Sequence, residues 1–308
     1  MTPEKYSDYI ERNQPLVEFF SRSGQWSGVE IPDIRSWINN FQDEEGKYYA
    51  VRLLKHFIFY SENDMIALLH RGLFQSFFER ECLNKILQSN FTCLPSIAQA
   101  ALDPEIRSTV FIPLLSANKP HESGEAITRL LVRQLQIPSS NVLFHWDFTD
   151  SILKNTKRII IVDDNIGSGD QLENYWTSPE RLPYGTFNEL RNQFDLDIIY
   201  ITLLAVQETC KNLNECIANL RIIACEELTS KHRVFSDDSI FWNSIAERDK
   251  ALNYISQVVK ERGLSLMGYA DMDYAVSLHK TIPDWTLPIF WKETINWKPL
   301  IRRNNLDG

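Results

Sequence analysis

The feature that most constrains this chain is an alternation. β-rich runs at 109–115, 158–162, 197–205 and 221–225 are separated by stretches with helical spacing at 124–136, 169–176 and 208–220. Strand and helix in regular turn predict a mainly parallel sheet with helices on both faces, because parallel neighbours need a crossover between them. The run Ile159-Ile160-Ile161-Val162 is uniformly apolar, as a strand covered on both faces must be. The fold class read from this is α/β.

The remaining segments extend that frame. Before residue 88 apolar residues recur at three and four, as in Tyr48, Val51, Leu54 and Ile58 and again in Ile66, Leu69, Leu73 and Phe77. Pro15, Pro32 and the turn Glu44-Glu45-Gly46 break this region into about four helices. The change at Asp103-Pro104 divides the chain into a helical N-terminal region, 1–104, and an α/β domain with a C-terminal tail, 105–308. The aromatic stripe Phe57, Phe59, Tyr60, Phe74, Phe77 and Phe78 reads as core, with a docking face for a partner as the alternative. Residues 241–262 read as one amphipathic helix ended by Gly263, followed by strand-like 264–269 and 275–279. Trp285, Trp291 and Trp297 argue that the tail folds onto the body.

Composition excludes several classes. A chain of 308 residues, 44% hydrophobic and 12% aromatic, is long enough to bury a sizeable core. Its 32 basic and 41 acidic side chains leave a net charge of −9, so a nucleic-acid contact would need a local basic patch. A small phosphate ligand is not excluded, since backbone amides or a metal ion can hold one. Five cysteines without CxxC spacing, and no signal-peptide pattern at the start, imply reduced thiols and a cytoplasmic location. No apolar run approaches the roughly 20 residues that span a bilayer. The six histidines have no paired spacing, so no zinc site is expected.

One stretch carries chemistry: Lys157-Arg-Ile-Ile-Ile-Val-Asp163-Asp164-Asn-Ile-Gly-Ser-Gly-Asp170. In a parallel sheet, ligands sit at the carboxyl ends of the strands, where Asp163 and Asp164 would be. The following bend offers consecutive backbone amides at a helix start, which favours a phosphate, and Gly167 and Gly169 let that backbone approach an anion. Two carboxylates beside such a nest would repel a bare phosphate. They suit a ligand that also presents hydroxyls or a magnesium ion, and a sugar phosphate meets both needs. A Walker B strand also ends in two acids, but no GxxxxGK[ST] precedes this one. A dinucleotide fold would need a third glycine and a later ribose acid. An acidic strand end that merely caps a helix is the remaining alternative.

From Ile159 to Gly169 the run resembles the PRPP-binding motif of type I phosphoribosyltransferases: four apolar residues, two acids, then a loop with a hydroxyl residue and glycine. Ser168 stands where that motif usually has threonine, Asn165 replaces an apolar residue, and Asp170 occupies a position that favours small or hydroxylic side chains. Gly268-Tyr-Ala-Asp271, His279-Lys-Thr-Ile-Pro283 and Thr286-Leu-Pro-Ile-Phe-Trp291 resemble the closing motifs of a phosphoribosyltransferase-like family of bacterial conflict systems, some members of which are encoded beside retron reverse transcriptases.

The resemblance implies a parallel sheet of the type I phosphoribosyltransferase kind, with an N-terminal helical region and a C-terminal α+β extension. It implies PRPP or nucleotide binding, with Asp163 and Asp164 as catalytic residues and ligands of a suspected Mg²⁺. Ile166, Gly167, Ser168, Gly169 and Asp170 would bind substrate, and so would Asn118, Lys119, His121 and Ser123 of the loop after the first sheet strand. A short lid over 146–157, with Lys154, Lys157 and Arg158, would cover the departing pyrophosphate. An effector or accessory role in phage defence is implied too. The non-catalytic alternative is a sensing or assembly subunit, possible as an oligomer, that docks a reverse transcriptase and its RNA/DNA product through the N-terminal helices.

Overall fold

The computed structural model describes residues 3–88, 102–115, 123–178 and 184–303. The chain divides into two compact units: 1–65 with 228–308, and 66–227. This division differs from the boundary expected at residue 104. The physical reason is a shared core, in which Val17, Trp37, Tyr49 and Leu53 of the early helices pack with Ile255, Leu287, Phe290 and Trp297 of the tail.

In the first unit, helices span Pro3–Arg22, Ile31–Ile38 and Glu44–Lys55, and a later helix spans Ile245–Glu261. Asp43 caps the third helix by accepting from the Gly46 amide, and Ser244 caps the last by accepting from Glu247. Strand β1, Ile58–Tyr60, pairs in parallel with β6, Val276–Leu278. Ile58 is therefore not on the helix face expected of it: the helix stops at Lys55, and the β-favouring triplet Ile-Phe-Tyr finds a strand partner in the tail. Of the two strand-like tail runs only the second contains a strand. The stretch 264–269 is irregular and runs into a turn where Ala270 and Asp271 both have φ of 54°.

Trp37 shows how tightly this core is joined. Its ring stacks on Phe290 at 5.1 Å and 9°, its indole N–H donates to the Ile289 carbonyl at 2.6 Å, and Trp297 meets it edge-on. Arg52 is buried and donates to the Phe241 carbonyl, with its guanidinium over the Trp242 ring. Lys55 donates to Asn13. These basic residues are engaged inside the unit, and Phe57 and Phe59 are core.

The second unit is built on a four-stranded sheet in the order β2 (Thr109–Pro113), β3 (Arg158–Ile166), β4 (Asp197–Val206), β5 (Arg221–Leu228). β2 pairs with β3 and β3 with β4, both in parallel. One face carries Ile112, Ile159, Ile161 and Tyr200, packed against Leu172 and Trp176, Phe187 and Leu190, and Leu213 from three successive helices. The other face, with Ile160, Val162, Ile199 and Ile201, is equally buried. A π-helix, Arg71–Phe78, packs against β4 and the helix Ser123–Arg133 against β2 and β3. Gly72 lets the π-helix come close: a Cβ there would lie 2.4 Å from the Cys225 sulfur. The expected covering of both faces is present.

Replacing Trp37 by alanine should destabilise the protein by about 3–5 kcal/mol, since it deletes a fully buried indole and leaves a cavity. Urea unfolding followed by tryptophan fluorescence measures this, and a loss below about 1 kcal/mol would mean that the tail is not anchored there.

Candidate functional site

The site lies where β3 outruns its neighbour. The β2–β3 pairing ends at Pro113 opposite Val162, with one further bond from the Leu114 amide to the Val162 carbonyl. On the other side β3 continues beside β4, with Asp163 opposite Thr202 and Ile166 opposite Ala205. The strand therefore extends to Ile166 rather than stopping at Val162, because β4 offers it a longer partner. Asp163 and Asp164 stand on this ledge at the carboxyl-terminal part of the sheet, each only 2% exposed.

The surroundings of the two acids account for their burial. Asp163 accepts from the Tyr200 hydroxyl at 2.7 Å and from the Asp164 amide at 2.9 Å. Asp164 accepts from the Asn165 side chain at 2.8 Å. Burial holds the Asp163 carboxyl well above the ordinary carboxylate range. The like charge of Asp164 acts in the same sense, against the opposing pull of Tyr200 and the Asp164 amide. The Tyr200 hydroxyl is pushed up by burial and by the Asp163 charge.

Beyond the acids the chain bends. Gly169 has φ of 91°, a left-handed conformation that favours glycine, and a Cβ there would lie 2.9 Å from Thr209 and 3.1 Å from Leu213. The Thr209 hydroxyl donates to the Gly167 carbonyl at 2.7 Å. The Ser168 hydroxyl donates to the Asp170 carboxylate at 3.0 Å and accepts the Asp170 amide at 3.4 Å. The helix Asp170–Thr177 then runs away from the bend with no side-chain cap on Gly169.

The structure thus brings Asp163, Asp164, Gly167, Ser168, Gly169 and Asp170 together. Ile166 turns its side chain into the sheet core, so a ligand could meet only its backbone. Asn118, Lys119 and His121 lie outside the described residues, and Ser123 opens the helix Ser123–Arg133. Of the lid residues, Arg158 is at the opposite end of β3, five residues or roughly 16 Å from Asp163. There it pairs with Glu105 and Asp197 over the Phe77 ring. Lys154 and Lys157 are exposed, and Lys154 pairs with Asp150.

Tyr200 and Thr209 are additions. Nothing in their own neighbourhood marks them, because they act on the acids and the bend from the next strand and the helix after it. A cleft of about 320 Å³ lined by Ser7, Gln14, Arg35 and Lys47 belongs to the first unit and contains none of the expected site residues. Among the described residues, no group of three or more His, Cys, Asp or Glu is placed to hold a metal ion. No helix of the described residues is long and apolar enough to cross a membrane.

A family model described as PRTase-CE matches residues 34–303, which takes in both units and the acid pair. The chain belongs to the PRTase-CE family. It is thus a phosphoribosyltransferase-like protein, and its α/β build with a parallel sheet agrees with that. This PRTase-CE protein has no match among curated proteins. Among solved structures it is similar to the orotate phosphoribosyltransferase from Aeropyrum pernix at 15% identity and a TM-score of 0.26, over 44% of this chain and 72% of that one.

A buried acid with a raised pKa stabilises the fold below its unfolded value of about 4 and loses that contribution as pH rises through the folded value. Asp163→Asn cannot ionise. Its melting temperature, taken without ligand, should therefore match wild type near pH 4 and exceed it by a margin that grows toward pH 8. A margin that shrinks or stays flat would show that Asp163 is ionised in the folded protein.

Proposed function

We propose that this PRTase-CE protein binds a 5-phosphorylated pentose, as PRPP or a nucleotide, at the ledge of β3. The observation that carries this reading is the buried acid pair beside a left-handed glycine bend at the carboxyl end of a central parallel strand. The pair answers the ribose hydroxyls, and the amides of the bend, at the start of a helix, answer the phosphate.

The reaction we propose is displacement at the anomeric carbon. The carbon–oxygen bond to pyrophosphate breaks with its electron pair leaving on pyrophosphate, and the lone pair of an incoming nucleophile forms the new bond. Positive charge develops on the sugar ring in between, and a carboxylate on the hydroxyl side stabilises it. Magnesium suits the site, because it takes one or two carboxylates and completes its shell with water and substrate phosphate. Asp163 and Asp164 are the residues present to hold it, and it would neutralise the leaving pyrophosphate. A role in a bacterial anti-phage system of the retron type is part of the proposal and rests on the likeness of the closing motifs.

A second reading, in which the protein docks a reverse transcriptase through its N-terminal helices, has one observation in its favour. Leu16 and Phe19, three apart on the first helix, are 54% and 58% exposed. Under it, Leu16→Glu with Phe19→Glu should abolish co-purification of a neighbour-encoded reverse transcriptase, and retention of that partner would reject the reading.

For the main reading, calorimetric titration of Mg²⁺-PRPP should give a binding isotherm with wild type. None should appear with the double variant Asp163→Asn, Asp164→Asn. An unchanged isotherm in the double variant would reject the site.

A further inference from the structure

The two edges of the four-stranded sheet are finished differently. Along β2 a further stretch of chain closes the edge: Val142 bridges to Phe111, and the Leu143 amide donates to the Phe111 carbonyl at 2.9 Å. β5 is the last strand on the other side, with β4 as its neighbour in the sheet. Among the described residues, no backbone hydrogen bond from outside the sheet reaches 221–228. An end strand of this kind offers a row of amides and carbonyls on which another strand can pair. The guards that usually blunt such an edge are missing from its middle. Ile222, Ile223 and Ala224 are half-buried, Cys225 is buried, and neither proline nor charge stands among them.

The charges stand at the ends of the strand, and they are opposite. Arg221 and Glu227 are both exposed. Six residues apart, they project from one face of the sheet, because successive side chains alternate. It is the face of the π-helix, where Arg221 lies over the Phe77 ring and Cys225 meets Gly72. Among the described residues neither has an oppositely charged partner, and Glu227 accepts from the neutral Gln207 side chain at 2.9 Å. At about 20 Å along the strand they are too far apart to meet each other.

A second copy, turned by a two-fold axis through Ala224, brings these charges together. The two β5 strands then run antiparallel, with 221 opposite 227, 223 opposite 225, and Ala224 opposite itself. Each Arg221 faces the partner's Glu227, once at each end of the joint. Glu226, which falls opposite Ile222, is already drawn aside to Arg71 at 3.6 Å. A parallel approach would set like charges side by side.

We propose that β5 is a docking edge for a second copy of this chain, joined by antiparallel β5–β5 pairing into one continuous sheet and held in register by reciprocal Arg221–Glu227 ion pairs. Main-chain bonds supply the affinity, and the end charges supply direction and register. The joint is small, so the dimer is a weak one, with a Kd on the order of 10 μM.

Sedimentation equilibrium of the full chain, from about 1 to about 200 μM, measures the joint, with a melting curve for each variant. Wild type should dimerise. Arg221→Glu and Glu227→Arg each set like charges against each other at both ends and should raise Kd about tenfold or more. The swap that carries both substitutions restores the opposition with its signs reversed, and should return to within about threefold of wild type. General loosening of β5 would accumulate in the swap, not cancel.

Wild type that stays monomeric at about 200 μM overturns the proposal and leaves the edge to a different chain. A dimer whose Kd moves less than about threefold in both single variants overturns it as well, since the copies then join elsewhere. A swap as weak as the single variants shows that the two charges do not face each other, with the same consequence. Where one single variant does not fold, the other and the swap decide by the same limits.

Discussion

Two adjacent carboxyl groups withdrawn from water at the end of β3 are the constraint around which the second unit is organised. Such burial is unfavourable for either group alone and worse for both together. It is borne here by a tyrosine hydroxyl, a backbone amide and an asparagine side chain. Each of those partners depends on the sheet. Tyr200 reaches Asp163 only because β4 runs parallel to β3 in one register, with Tyr200 two residues ahead of the residue opposite Asp163. The ledge exists only because β2 stops pairing at Pro113 while β4 continues. A change that slid β4 by one residue would turn Tyr200 to the other face, away from Asp163.

The bend behind the acids is held with similar economy of parts. Gly169 adopts a backbone conformation that a side chain would disfavour, and the space its Cβ would need is filled by Thr209 and Leu213. Thr209 then ties the Gly167 carbonyl. Strand β3, the bend and the helix after β4 therefore form one assembly, in which each piece limits the others. The first unit follows a different logic. Its core is a mesh of aromatic rings, and the motif residue Thr286 serves it directly by donating to the Val276 carbonyl while fully buried.

Legibility varied with the range of the cause. The run Ile159 to Val162 announced a strand covered on both faces, and both faces are covered, because burial on two sides needs only consecutive apolar residues. The end of that strand was misplaced by four residues, since it is set by how far β4 goes, which no residue of β3 records. Ile58 keeps the helical spacing of Tyr48, Val51 and Leu54, which alone points to a helix. Its strand partner, Val276, lies more than two hundred residues away. The same distance hid the joining of the early helices to the tail and put the expected boundary at residue 104. Tyr200 and Thr209 carry no local signal for the same reason: an ordinary tyrosine in a strand and an ordinary threonine at a helix start acquire meaning only from what they face.

By itself, the sequence determined the α/β class, the parallel direction of the sheet, the acid pair and the glycine bend, because periodicity, a local motif and backbone permissiveness are properties of neighbouring residues. The tertiary structure alone decided where β3 ends, which tyrosine holds Asp163, and that the first and last parts of the chain share a core. Those outcomes depend on register and packing between segments far apart in the chain, and the free energy of such contacts belongs to the pair of surfaces and is encoded in neither surface alone.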